Sequence, residues 1–403
     1  MDKRRLLFVA GTREPGGVHV HTADVAQAAA ELDCEVSLAC ASIDFFSPIV
    51  SPALVRLEMA EVLCIEPFKV WPYRTRLRRH LFWRSLLARH RGSDLVLVRG
   101  AFGETPINEL LATKERVRRL YTIEHSPGLP RGESRFARAV HGAAMRRRVY
   151  RSVMVSQNIA ELATGEFGLP ADRIAICENW VDPAYRPPRG TERQAARAAL
   201  GVEGDRFVVG YVGRLSLDKH GDMLIRAFAE ARAGGLTQSI LVLAGDGWKA
   251  EEWRGLAREL GIAEHVLFPG WQRRPQAIYH ALDLFVLPSR VEGFPLALME
   301  AMASGVPGLA HPMGSTLALM GDGTGGFLQD MASPAGIATC LRHIAAMPAW
   351  RLQAMGLAAS AHVADGYSRA KRLPAVLAAL DIPLDGRALP PAHERALAFS
   401  RSR

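Results

Sequence analysis

The 403 residues are 49% hydrophobic and 23% charged, a composition that excludes a largely disordered chain and, at this length, predicts two domains with separate cores. The five cysteines are scattered and form no C-x-x-C pair, so the sequence predicts neither a disulfide framework nor a zinc site and favours the reducing cytoplasm. The net charge of +9 is uneven, because residues 69–151 contain 20 Lys and Arg but six Asp and Glu, and this excess indicates an anionic partner for the first half of the chain.

The first predicted element is a buried strand at residues 6–10. It follows Lys3, Arg4 and Arg5 as the apolar segment of a signal peptide would, but it ends at Gly11 and is shorter than the roughly 7–15 residues that such a segment needs. No run of about 18 apolar residues occurs in the sequence, which therefore predicts no membrane-spanning helix. We expect a cytoplasmic protein.

Short apolar runs followed by helical patterns form two series along the chain. The first series lies at residues 6–10, 35–39, 94–98, 120–123, 153–156 and 174–177, and the second at 207–212, 240–244, 265–268, 284–287 and 306–310. Continuous apolar strands that alternate with helices are typical of parallel sheets covered on both faces. The sequence therefore predicts an α/β protein with two doubly wound, Rossmann-like domains.

A segment rich in proline, glycine and charge, residues 182–190, separates the two series and predicts the domain boundary. We expect an N-terminal domain at residues 1–185, a C-terminal domain at residues 186–380 and a poorly ordered tail at residues 381–403. Parallel sheets bind ligands at the carboxyl ends of their strands, so a cleft between two facing domains is the expected site.

Two features of the first domain follow predicted strands and are candidate ligand contacts. Gly16 and Gly17 lie between the first strand and a helix, where paired glycines let backbone N–H groups approach a phosphate, although they also form ordinary turns. His125 follows the strand at residues 120–123 and could face the cleft, although a single histidine is more often structural. The residues by themselves leave both alternatives open.

In the second domain, a predicted strand ends at Gly213 and two cations follow it. Arg214 and Lys219 could neutralise the roughly two negative charges of a pyrophosphate leaving group. A solvated basic loop is the alternative. The position at a strand end makes the two interpretations equally good.

The sharpest feature is a pair of glutamates, Glu292 and Glu300, with seven residues between them. Pro295 and Gly305 are typical of the start of a helix and of the position just past its end, so we predict a short helix at residues 296–303. An anion at its N-terminus would have a carboxylate on either side, which matches the hexose, pyrophosphate and ribose of a nucleotide sugar. The alternative is that Glu292 is a charge in a loop and Glu300 a solvated residue on the helix surface. Glu300 lies among apolar residues, however, which is an unfavourable place for a carboxylate without a function.

These motifs resemble those of the retaining glycosyltransferases of family four, the group one transferases, which have the GT-B fold. The E-x7-E signature of that family corresponds to residues 292–300, and its diphosphate-binding segment is similar to residues 213–219. The resemblance is specific over residues 205–328 and weaker in the first half of the chain.

The resemblance implies a role for each candidate residue. Glu300 would hold the ribose hydroxyls and Glu292 a hydroxyl of the donor sugar. Arg214 and Lys219 would bind the diphosphate. Gly17 would face the β-phosphate, and His125, a catalytic residue together with Arg214, Lys219 and Glu292, would touch the sugar. The other substrate contacts that it implies are Gly16, Gly213, Gly293, Phe294, Pro295 and Leu296.

The resemblance also implies a retaining transfer from a nucleoside diphosphate sugar to an acceptor hydroxyl, without a metal or other cofactor, and the chain contains no D-x-D motif. We expect a sugar or lipid-linked sugar as acceptor and a role in polysaccharide or glycolipid biosynthesis. A GT-B sugar-nucleotide epimerase or phosphorylase is the alternative. The excess of basic residues also suits a nucleic-acid-binding protein, a more distant alternative, but the sequence has no recognised motif for one.

Residues 69–91 contain eight Lys and Arg and no acid, with aromatic and aliphatic residues between them. This mixture suits the headgroup region of an anionic leaflet and predicts peripheral association with the inner face of the membrane. A helix that packs its apolar side inward, with solvated arginines outside, is the alternative.

Overall fold

The computed structural model describes residues 3–10, 17–40, 43–46, 50–60, 72–99, 116–126, 135–320, 323–384 and 386–389. The chain divides into two compact units, Met1–Asn179 together with Ala370–Arg403, and Trp180–Arg369. Each unit contains one parallel sheet, and the two are described in turn.

The first unit contains a seven-stranded sheet. Its strands are β1 (Arg5–Ala10), β2 (Glu35–Cys40), β3 (Val55–Met59), β4 (Asp94–Arg99), β5 (Leu120–Glu124), β6 (Arg151–Met154) and β7 (Ile174–Ile176). They lie in the order β3-β2-β1-β4-β5-β6-β7, and every described pairing is parallel. The helices are α1 (Gly17–Glu31), α2 (Ile43–Phe46), α3 (Pro72–Arg89), α4 (Arg135–Arg148) and α5 (Gln157–Phe167).

The second unit contains a six-stranded parallel sheet. Its helices are α6 (Glu192–Ala199), α7 (Gly221–Ala233), α8 (Ala250–Glu259), α9 (Gln276–Ala281), α10 (Leu296–Ala303), α11 (Gly314–Met320), α12 (Pro334–Ala345) and α13 (Ala349–Gly366). Its strands are β8 (Phe207–Val212), β9 (Ser239–Ala244), β10 (Val266–Gly270), β11 (Leu284–Leu287), β12 (Gly308–Ala310) and β13 (Gly326–Leu328), in the order β10-β9-β8-β11-β12-β13. The last helix, α14 (Arg369–Ala379), begins at the end of this unit and continues in the first.

The core of the second unit explains why these elements form. Strands β8, β9 and β11 are apolar on both faces because helices cover both sides of the sheet, and helices α7 and α12 pack against each other. Helix α10 packs against α13. At their closest approach a Cβ on Gly356 would lie 1.9 Å from the carbonyl oxygen of Gly305, so only glycine fits there. Two sheets with Rossmann-type strand order confirm the prediction of two doubly wound α/β domains.

The C-terminal segment belongs to the first unit. Asp381 accepts hydrogen bonds from Arg119 Nη1 at 2.5 Å, Arg151 Nη1 at 2.9 Å and the Tyr121 hydroxyl at 2.9 Å, and its carbonyl accepts one from Arg4 Nη1 at 2.5 Å. The two units divide between residues 179 and 180 and again between residues 369 and 370. The predicted domains divide between residues 185 and 186 and between residues 380 and 381. Arg151 Nη1 also donates to the Ala379 carbonyl at 3.2 Å, and this long-range contact, which proline and glycine spacing cannot indicate, ties the end of α14 to the first unit.

Among the described residues, no helix combines the length and the apolar character that a membrane crossing requires.

Candidate functional site

The candidate site of the second unit lies where the strand order of its sheet reverses. Strand β8 pairs with β9 on one side and with β11 on the other. The chain leaves β8 and β11 at their carboxyl ends in opposite directions across the sheet, which opens a crevice between the two following loops. Both loops contain residues that the sequence analysis selected.

The loop after β8 is held by its neighbour after β9. The Tyr211 hydroxyl donates to the Arg214 carbonyl at 2.8 Å, and the Leu215 N–H donates to the Asp246 carbonyl at 2.8 Å. Gly245 has φ of +143°, and a Cβ there would lie 1.8 Å from the Gly213 carbonyl oxygen. Gly213 thus forms part of a close backbone contact, and the loop has little room to shift.

Lys219 and Glu292 form an ion pair at this crevice. Lys219 ends a short 3-10 turn, Leu217–Lys219, and its Nζ lies 2.7 Å from Glu292 Oε1. The side chains are 18% and 13% exposed, so the pair is largely shielded from water but remains reachable. The structure therefore brings together two residues that were predicted separately, one for the diphosphate and one for the sugar.

Arg214 lies at the more exposed side of the same loop. Its Nη2 is 3.3 Å from Asp218 Oδ2, and both side chains are about half exposed. Burial acts to raise the pKa of Asp218, but the hydrogen bond from Ser216 and the charges of Lys219 and Arg214 bring that pKa below its ordinary value. The loop thus holds two cations and one ionised carboxylate.

Helix α10 begins beside the Glu292 loop. Its bounds, Leu296–Ala303, confirm the predicted helix, with Pro295 directly before it. Gly293, Phe294 and Pro295 are buried, and the Phe294 ring lies 5.5 Å from that of Tyr367. The first N–H groups of a helix have no acceptors within it, so this fixed N-terminus can donate to an anion.

Glu300 lies further along α10 and is held by a residue that the sequence analysis missed. The hydroxyl of Tyr279, on α9, donates to Glu300 Oε2 at 2.8 Å. Burial, followed by the charge of Glu300, raises the pKa of Tyr279 well above its ordinary value. In the sequence Tyr279 has the pattern of an ordinary core residue, so no local signal indicates this contact.

The first unit contains the remaining predicted residues. Gly17 is the first residue of α1, and Gly16 lies outside the described residues. His125 directly follows β5 and is 8% exposed, with its ring 5.6 Å from that of His21 on α1. Burial and the nearby His19 lower the pKa of His125 to about 4, so its imidazole is neutral at physiological pH. His19 and His21 were not predicted as site residues, although both follow the Gly16-Gly17 pair closely in the sequence.

Metal ligands are not grouped in the described part of the chain: no three or more His, Cys, Asp or Glu side chains there are arranged to hold a metal ion.

This fold and this site define a class, the GT-B glycosyltransferases. A family model described as Glycosyl transferases group 1 matches residues 192–354, and a second, described as Glycosyltransferase Family 4, matches residues 15–185. Together the two matches include every candidate residue of both units. The chain belongs to the group 1 glycosyltransferase family, which confirms the predicted family and fold.

Similar proteins and structures agree with this assignment. The chain is 36% identical over 211 residues to the D-inositol 3-phosphate glycosyltransferase of Nocardia farcinica, covering 50% of this chain and 46% of the relative. It is 34% identical over 249 residues to that of Segniliparus rotundus, covering 60% and 54%. The chain thus spans about half the length of these curated relatives. The structure of Anabaena HepE in complex with UDP and glucose shares the fold, with a TM-score of 0.76 and 18% identity over 94% of this chain and 99% of that chain.

Proposed function

We propose that this protein transfers a sugar from a nucleoside diphosphate sugar to an acceptor hydroxyl, with retention of anomeric configuration and without a metal. The observation that carries the proposal is the Lys219–Glu292 contact of 2.7 Å, beside the N-terminus of α10. A cation, a carboxylate and a helix N-terminus together suit a sugar linked to a diphosphate.

The second unit binds the donor in this proposal. Lys219, Arg214 and the N–H groups at residues 294–296 hold the diphosphate, with Gly213 and Gly293 allowing its close approach. Glu292 accepts a hydrogen bond from the donor sugar, and Glu300 accepts from the ribose. These assignments place positive charges where the donor carries its phosphates and hydrogen-bond acceptors where it carries its hydroxyls.

For the remaining predicted residues we propose the roles that the family resemblance implies: Gly17 at the β-phosphate, Gly16 as a further substrate contact and His125 at the sugar. A neutral His125 can donate from one ring nitrogen and accept at the other, which suits a sugar hydroxyl better than a charged imidazolium would.

In the proposed reaction the bond between the anomeric carbon and the β-phosphate oxygen breaks, and the acceptor oxygen bonds to that carbon on the same face. Lys219 and Arg214 stabilise the negative charge that develops on the leaving diphosphate, which is the main electrostatic contribution. The acceptor proton passes to the departing phosphate oxygen. UDP-sugars are the first donors to test, because the HepE structure is a complex with UDP and glucose.

We place the activity in polysaccharide or glycolipid biosynthesis, with a sugar or lipid-linked sugar as acceptor. Helix α3 supports contact with an anionic membrane, since Leu81 is 55% exposed next to the exposed Arg84. Trp83, Leu86 and Leu87 are buried, so an inward-packed apolar side, the alternative interpretation of this helix, is present as well. Lys69, Trp71 and the side chains of residues 72–79 lie outside the described residues.

Cosedimentation with vesicles tests the membrane proposal. Each cation near the surface contributes about 1 kcal/mol, so four would give weak and salt-sensitive binding of roughly 4 kcal/mol. We expect binding to phosphatidylglycerol-rich vesicles at low salt, loss of binding at high salt, and weaker binding when Arg78, Arg79 and Arg84 are neutralised. Failure to bind at low salt would favour an acceptor in solution.

A donor panel tests the proposed function itself. UDP-, GDP-, ADP- and dTDP-sugars are compared by thermal shift and by nucleotide release with and without a candidate acceptor. A ligand at about 100 times its Kd adds about 2.7 kcal/mol of stability, which raises Tm visibly. We expect one donor to stabilise the wild type but not Lys219→Met, whereas Lys249→Met, a matched change in the neighbouring loop, keeps the response. Nucleotide release that needs no acceptor would instead favour the alternative, a GT-B sugar-nucleotide epimerase or phosphorylase.

A further inference from the structure

Tyr279 places its hydroxyl against the Glu300 carboxylate. Its ring is fully buried, and the ring centroids of Tyr185 and Phe285 lie 5.8 and 5.9 Å away. A phenylalanine would make the same ring contacts, so packing alone does not account for the hydroxyl. The hydroxyl donates to Glu300 Oε2 at 2.8 Å, a hydrogen bond of ordinary length to a carboxylate.

This hydrogen bond has a fixed direction. Burial and the charge of Glu300 raise the pKa of Tyr279, so the phenol keeps its proton at neutral pH and the carboxylate is the acceptor. A carboxylate has about four acceptor positions on its two oxygens, so it can accept from a phenol and from other donors at the same time. Vicinal hydroxyls are donors of this kind.

The backbone that carries Glu300 is itself fixed. Met299 and Ala301 on either side of it are fully buried, and α10 packs against α13. The freedom that remains at this position is the rotation of the glutamate side chain, which is costly to lose when a ligand binds. The bond from Tyr279 restricts that rotation during folding, before any ligand arrives.

We propose that Tyr279 is a positioning residue that holds the Glu300 carboxylate ready for the 2′- and 3′-hydroxyls of the donor ribose. The proposal rests on the proposed function, in which Glu300 binds the ribose. Tyr279 then sets the preference for ribonucleoside diphosphates over analogues without these hydroxyls. It acts on donor affinity rather than on the step that breaks the glycosidic bond.

Calorimetry on Tyr279→Phe tests the proposal, because that change removes only the hydroxyl. UDP, or GDP or ADP if the wild type prefers it, is compared with its 2′,3′-dideoxy analogue and with inorganic pyrophosphate. We expect UDP to bind about five- to tenfold more weakly to the variant, with the analogue and pyrophosphate unchanged. Donor KM should rise by the same factor with kcat nearly constant.

Two further variants separate positioning from a general structural effect. Tyr185→Phe makes the same chemical change in the same aromatic cluster and should leave the preference for UDP intact. Glu300→Gln should remove most of the preference, and adding Tyr279→Phe to it should weaken UDP binding no further. Equal weakening of all three ligands by Tyr279→Phe, or an unchanged preference, would overturn the positioning role. A wild type that does not distinguish UDP from its dideoxy analogue would overturn the ribose role of Glu300 as well.

Discussion

Replacing Glu292 with glutamine removes the carboxylate that holds the Lys219 ammonium, with almost no change in side-chain shape. In the structure the two atoms are 2.7 Å apart and largely shielded. A diphosphate that binds this ammonium shares it with Glu292 and lies close to a second negative charge. The glutamine variant should therefore bind a bare nucleoside diphosphate more tightly than the wild type does, while it transfers sugar more slowly.

The expected gain in affinity for the diphosphate follows from the free energy that the ion pair contributes. Exposed pairs contribute about 0.2–1 kcal/mol, and hydrogen bonds to charged groups contribute more, about 1.5–3 kcal/mol. For a pair that is shielded but still reached by water we take about 1 kcal/mol, which corresponds to roughly fivefold tighter binding. Sugar transfer should fall by at least about tenfold, because the contact between Glu292 and the donor sugar is lost.

Isothermal titration with UDP at constant pH and ionic strength measures the gain, and steady-state kinetics measures the loss. Glu259→Gln, at an exposed position on α8, is the matched control and should change neither quantity. Weaker or unchanged diphosphate binding in Glu292→Gln would refute the competition between carboxylate and phosphate.

Three further predictions follow from the described contacts. Lys219→Ala and Arg214→Ala should each lower kcat by roughly two to three decades with folding retained, and steady-state rates within about threefold of wild type would disprove the diphosphate assignment. Gly356→Ala should lower the urea midpoint, because its Cβ would meet the Gly305 carbonyl, and an unchanged midpoint would show that α13 shifts freely. Burial, followed by the charge of Arg99, lowers the pKa of His141 to about 4, so the stability that its neutral form contributes is complete above the unfolded value of 6.5 and is lost as pH falls towards 4. Between pH 7.5 and 4.5 the free energy of unfolding of His141→Gln, measured by urea titration, should therefore fall by about 2 kcal/mol less than that of the wild type. An equal fall in both proteins would contradict the lowered pKa of His141.

Sequence patterns predicted most of the strands, and most clearly those whose burial is uniform. Strands such as β4 and β9 read as continuous apolar runs because helices cover both faces. The bounds of α10 were predictable because Pro295 and Gly305 mark its ends. Strand β3 was missed because its residues are only partly buried, and β13 because its three residues carry almost no pattern.

The contacts of the site depend on strand order, which local patterns do not contain. Lys219 and Glu292 are 73 residues apart in the chain and meet because β8 and β11 are neighbours. Tyr279 has the pattern of an ordinary core residue, and only its distance to Glu300 reveals a second role. The bonds of Asp381 to three residues of the first unit likewise could not be inferred from composition.

Time-resolved proton NMR of the anomeric signal tests the central claim most directly. The protein is incubated with an α-linked nucleotide sugar and an acceptor that the donor panel has identified, and the anomeric proton of the new glycoside on the acceptor is followed. The proposed function predicts an α product that forms with release of the nucleoside diphosphate and that Lys219→Ala almost abolishes. A β product would contradict retention, and nucleotide release that is unaffected by the loss of Lys219 would contradict the assignment of the donor site.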